Sequence, residues 1–84
     1  MWRVEVRMTT QERILAIVQQ VAQKPVPADP DESLFESGVL DSFGLPDMVS
    51  ALEKEFGVKV PDADLNPRKF DSLTRIERYI ESRA

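Results

Sequence analysis

The sequence predicts an all-α domain: a small bundle of three to four helices with a long first loop. Three observations carry that reading. Leu45, Met48, Val49, Leu52 and Phe56 repeat at helical spacing and are followed by Gly57. Two further stretches, near residues 10–23 and 73–80, show the same periodicity. Between the first two runs lies a segment with three prolines, "PVPADPDESLFESGVLDS", which regular structure cannot span.

Residues 2–8 alternate apolar and polar side chains, as a short strand would. No second strand is evident to pair with it, so the segment reads as an N-terminal extension, 1–8, ahead of a domain over 9–84. Met8 is an alternative start. Thr9 and Glu12 form a capping-box pair that opens the first helix, 10–23. Ile14, Leu15, Val18, Val21 and Ala22 are its apolar stripe, and Pro25 ends it. In the loop, Leu34, Phe35, Val39 and Leu40 are apolar anchors that hold it to the body. Ser33 and Glu36 suggest one capped turn, stopped by Gly38. The second helix is predicted over 43–56. A connector, "VKVPDADLNP", holds one short helical turn at 62–66. Asp71 or Ser72 caps the last helix. Leu73, Ile76 and Ile80 line its inner face, Tyr79 flanks them, and Arg75, Arg78 and Arg83 point to solvent.

Composition narrows the function. Among 84 residues there is no cysteine and no histidine. Disulfides, thiol catalysis and the commonest general base and metal ligand are thereby excluded. No signal-like or membrane-length apolar run is present, so a cytoplasmic location is expected. Charge is segregated: residues 28–66 carry ten acidic and two basic side chains, and residues 67–84 five basic and three acidic. An acidic middle disfavours nucleic acid and favours a basic protein partner.

Ser42, in "GVLDSFGLPDMV", admits three readings. A nucleophile needs a base within reach, and nothing here matches such an arrangement. A helix N-cap is the ordinary role, which Asp41 fills equally well. The third is a substrate serine, presented at a helix start where free N–H groups and the helix dipole would favour an attached phosphate.

The stretch "LFESGVLDSFGLPDMVSALEKEFGVKVPDADL" resembles the central region of acyl and peptidyl carrier proteins. There Asp-Ser followed by Leu or Phe comes after Gly-x-x and precedes a helix of the type "VELVMALEEEFG" and a Val-Pro-Asp connector. The resemblance covers about residues 10–82, and "LDSFG" especially resembles the D-alanyl carrier proteins, though stand-alone carriers of other pathways, such as fatty acid, polyketide or nonribosomal peptide biosynthesis, share it. It implies a stand-alone acyl or aminoacyl carrier that is not itself an enzyme. A 4′-phosphopantetheine arm from coenzyme A would be joined to Ser42, and cargo would ride on it as a thioester. The implied partners are a phosphopantetheinyl transferase, a loading ligase and a downstream acyltransferase or synthase. Leu40, Asp41, Phe43, Asp47, Met48, Glu53 and Glu55 are the expected partner-recognition residues, Met48 doubling as an inner-stripe residue. Ser72, in "FDSLTRI", matches Asp-Ser-Leu literally but lacks the preceding loop and reads as a cap. Two other readings stand beside the carrier: a carrier-like interaction module that is never modified, and a small domain binding an anionic ligand, which the local acidity opposes. A monomer is the expectation for the carrier, and the sequence itself sets neither the oligomeric state nor the cargo.

Two residues depart from the family pattern. Lys54 replaces a common acid, and Pro46 stands where valine is usual. Proline has no N–H and clashes with the carbonyl four residues back, here that of Ser42. Regular helix is therefore expected only from Phe43 or later, with Ser42 to Leu45 forming a turn or loose first turn.

Overall fold

A computed structural model describes residues 9–83; the 2–8 segment and the alternative start at Met8 lie outside it. Three helices follow in order: α1 (Thr10–Ala22), α2 (Gly44–Phe56) and α3 (Leu73–Arg83), with a 3₁₀ turn at Asp62–Asp64. No strand occurs among the described residues. The chain is all-α.

The capping box forms as the sequence predicts. Thr9 Oγ1 accepts from the Glu12 N–H at 3.1 Å, and Glu12 accepts from the Thr9 N–H at 2.8 Å. The helix stops one residue early, because Gln23 turns left-handed at φ 54° and returns its N–H to the Gln19 carbonyl. The buried face of α1 is Ile14, Ile17 and Val18, with Leu15, Val21 and Ala22 at its edges.

The long loop is tied down by backbone bonds. Leu34 N–H reaches the Asp71 carbonyl at 2.6 Å, Thr74 N–H the Pro30 carbonyl at 3.1 Å, and Leu40 N–H the Leu34 carbonyl at 3.0 Å. Ser33 Oγ accepts from the Glu36 N–H, giving the expected turn, and Gly38 leaves it at φ 82°. Leu34 and Leu40 are thereby carried into the core.

Leu45, Met48, Val49 and Leu52 of α2 are buried, and Gly57 closes the helix at φ 66°. Ser72 caps α3, its Oγ accepting from the Arg75 N–H at 3.1 Å. α1 packs against both other helices. Its first half is pinned to the end of α2: the Arg13 guanidinium donates to Glu55 at 2.8 Å and stacks 4.4 Å from the Phe56 ring. Core residues also come from irregular segments: Val58, Val60 and the fully buried Phe70. This frame sets the start of α2 at the end of the anchored loop.

Candidate functional site

The loop delivers the chain to α2 through Leu40, which is only 4% exposed and so fixes the next residue in place. Asp41 then turns it. Its Oδ1 accepts from the N–H of Phe43 at 3.0 Å and of Gly44 at 2.8 Å. Its carbonyl accepts from the N–H of Gly44 and of Leu45, both at 3.1 Å. Asp41 therefore does the capping, and the Ser42 hydroxyl has no capping role to fill. Ser42 is exposed, and among the described residues its side chain makes no hydrogen bond.

Regular helix begins at Gly44, with Phe43 the last residue before it. The cause is Pro46: the bond that would follow Leu45→Asp41 needs a residue-46 N–H, which proline lacks. The late start expected from the sequence is thus met, although Gly44 and Leu45 are already helical. One expectation is corrected. The first-turn N–H groups of Phe43 and Gly44 are not free for an attached phosphate, because the Asp41 carboxylate holds both.

The other expected recognition residues divide sharply. Phe43 is 88% exposed, the exposed large hydrophobic among the described residues, and Asp41 and Asp47 are exposed beside it. Leu40 and Met48, at 4% and 0%, offer no surface to a partner in this fold. For Met48 the helical stripe decides this; for Leu40 it is the pairing with Leu34, which periodicity does not reveal. Glu53 is half-buried and accepts from the Val60 N–H at 2.8 Å, so it holds the connector. Glu55 is exposed but already paired with Arg13. The surface around Ser42 is therefore a free hydroxyl, an exposed phenyl ring and two carboxylates.

Ser72 offers a direct contrast. It is 4% exposed and its Oγ is engaged in capping α3, so it has neither the room nor the free lone pairs of Ser42.

Comparison with known proteins identifies the family. The family model described as "Phosphopantetheine attachment site" matches residues 12–80. The chain is 30% identical over 74 residues to the D-alanyl carrier protein of Streptococcus pyogenes serotype M5 (strain Manfredo), covering 88% of this chain and 94% of that one. The same values hold for the D-alanyl carrier proteins of serotypes M49 (strain NZ131) and M1.

Proposed function

The chain belongs to the phosphopantetheine attachment family and is a carrier domain, and on that premise we propose that Ser42 is the residue that bears the arm and that the cargo is an acyl or aminoacyl group. When attached, the arm supplies a terminal thiol that this cysteine-free chain lacks. The observation that supports Ser42 is the division of labour with its neighbour. Asp41 caps the helix, which leaves the Ser42 hydroxyl exposed and uncommitted on a backbone fixed on both sides.

The chain's own residues mount and present; they do not catalyse. With no histidine in the sequence and no base bonded to Ser42, the proton of its hydroxyl leaves to a group on the modifying enzyme. Asp41 and Asp47 offer carboxylates to a basic partner surface, and Phe43 offers it an apolar contact. Leu40 and Met48 hold this surface from beneath. Similarity to D-alanyl carrier proteins makes D-alanine the first cargo to try. The domain spans residues 9–84, with 1–8 as an extension, and its partners are a phosphopantetheinyl transferase, a loading ligase and a downstream acyltransferase or synthase.

Intact mass spectrometry after incubation with coenzyme A and a broad-specificity phosphopantetheinyl transferase tests the assignment. One added phosphopantetheine is expected for the wild type and for Ser72→Ala, and none for Ser42→Ala. Modification that persists in Ser42→Ala would place the arm elsewhere. No modification of the wild type, with none regained in Pro46→Val, would favour an unmodified interaction module.

A further inference from the structure

Mounting an arm on Ser42 gives the basic side of α3 no task. We propose that this side, with the chain just before α3, is a second docking surface, which takes a carboxylate-bearing segment of a protein partner.

Three observations carry this. First, the cations converge. Arg75, Arg78, Tyr79 and Arg83 fall at i, i+3, i+4 and i+8, so they share one stripe of α3. Arg68 and Lys69 join Arg75, Arg78 and Tyr79 in lining a shallow hollow of about 340 Å³. Second, the hollow is held in shape. The Tyr79 ring packs edge-on against the buried Phe70 at 5.0 Å, and its hydroxyl is tied to Asp64 at 2.7 Å. Arg75 Nη1 donates to the Arg68 carbonyl at 3.0 Å, which joins the two segments of the rim. The Arg83 guanidinium lies 5.9 Å from the centre of the Tyr79 ring. Third, acids close by in the fold are turned to other work. Glu77 accepts from Gln11 at 3.2 Å, Asp71 accepts from the Ser33 hydroxyl, and Asp64 serves Tyr79 and, at 4.0 Å, Lys69. Arg68, Arg75, Arg78 and Arg83 make no ion pair among the described residues.

The chemistry of the hollow selects its occupant. Guanidinium forks pair with carboxylates through two parallel hydrogen bonds. The hollow opens widely to solvent, so it does not enclose a small anion as a ligand pocket would. A plane of anionic lipid fits it poorly. Glu81 is exposed three residues beyond Arg78, and Asp62 is exposed in the turn that carries Asp64, so a flat anionic surface would meet them as well. The exposed large hydrophobic among the described residues is Phe43, outside this stripe, so the stripe brings no apolar side chain to insert. A protein surface can set its carboxylates against the arginines and leave those two acids clear. No residue of the Ser42 surface lines the hollow, so this docking does not depend on the arm.

The test titrates the full ¹⁵N-labelled chain with a decaglutamate peptide and follows the amide signals by NMR. Saturable shifts are expected at Arg68, Lys69, Arg75, Arg78 and Tyr79. Shifts of that size are not expected around Lys54 and Lys59, exposed cations that border a different hollow at the end of α2. Arg78→Gln should weaken binding roughly tenfold, the scale of one charge-assisted pair. The Arg78 side chain makes no hydrogen bond or ion pair among the described residues, so this variant leaves the fold intact. Arg75→Lys with Arg78→Lys keeps the charge and loses the forks, and should weaken binding roughly threefold or more. Absence of saturable shifts overturns the proposal. Equal shifts around Lys54 and Lys59, or full affinity in the lysine variant, reduce the effect to general attraction and also overturn it. So does binding to vesicles of equal phosphatidylglycerol and phosphatidylcholine in place of the peptide, which would assign the surface to lipid. Signals of the same residues that move on dilution of the protein alone would assign it to a second copy and overturn it too. Ser42→Ala should bind the peptide as the wild type does, so failure of the attachment reading leaves this result unchanged.

Discussion

Asp41 and Ser42 are adjacent, and either could cap α2, yet only one geometry leaves a hydroxyl for modification. One Asp41 oxygen accepts the N–H groups of Phe43 and Gly44, while the Asp41 carbonyl shares the Gly44 N–H and takes that of Leu45. This concentrates the first turn's satisfaction in a single residue. Asp41→Ala should therefore destabilise the fold by about 1 kcal/mol, within the usual range for a lost cap. Asp41→Asn should retain most of it, because the amide oxygen still accepts. Urea midpoints at constant m-value measure both. Equal losses in the two variants would mean that the carboxylate's charge, not its acceptor geometry, sustains the turn. Turn chemistry made Asp41 and Ser42 visible as a pair in the sequence. The choice between them was not visible, since it depends on where Leu40 is anchored.

At the scale of elements, the connector and α3 are joined by Tyr79. Its ring meets Phe70 edge-on at 5.0 Å, and its hydroxyl donates to Asp64 at 2.7 Å. Partial burial and that carboxylate push the Tyr79 pKa up to about 12 from an ordinary 10.0. A raised folded-state pKa means that the protonated phenol is favoured by folding. Its contribution is complete below pH 10 and is lost as pH rises through 12. The stability difference between wild type and Tyr79→Phe should accordingly be flat up to pH 10 and shrink above it. A difference that grows with alkalinity would contradict the Asp64 contact. The helices themselves were legible from period and caps: Thr9 with Glu12, Gly57 after Phe56, Ser72 before Leu73. What periodicity missed lies in irregular backbone. Val58, Val60 and Phe70 enter the core from connectors, so their burial follows from tertiary contacts rather than from a repeat, whereas Leu34 and Leu40 are buried as the loop anchors the sequence predicts. The same limit explains why Glu53 and Glu55 read as free recognition acids although one holds Val60 and the other Arg13.

Across the whole molecule, the charge is arranged so that Ser42 sits within the acidic segment. Residues 28–66 carry a net −8 while the chain as a whole carries −4. The cations Arg68, Lys69, Arg75 and Arg78 gather instead around Tyr79. Tyr79 reaches Asp64, and Glu53 lies near it, so this basic surface adjoins the connector and the far half of α2 from Ser42. A basic modifying enzyme would thus be guided by the field toward the hydroxyl end. Such steering acts between exposed charges and is screened within about 10 Å at 0.1 M salt and about 3 Å at 1 M. The kcat/KM for the proposed modification of Ser42 should therefore fall roughly tenfold or more between low salt and about 0.5 M, a modest share of what steering can supply. Asp47→Asn should lower the low-salt value and flatten the slope, because Asp47 is exposed and makes no ion pair among the described residues. Glu55→Gln should change the slope far less, since Arg13 already neutralises that carboxylate. If the two variants respond alike, the partner senses net charge alone; if only Asp47→Asn responds, the partner reads the individual carboxylates that border Ser42.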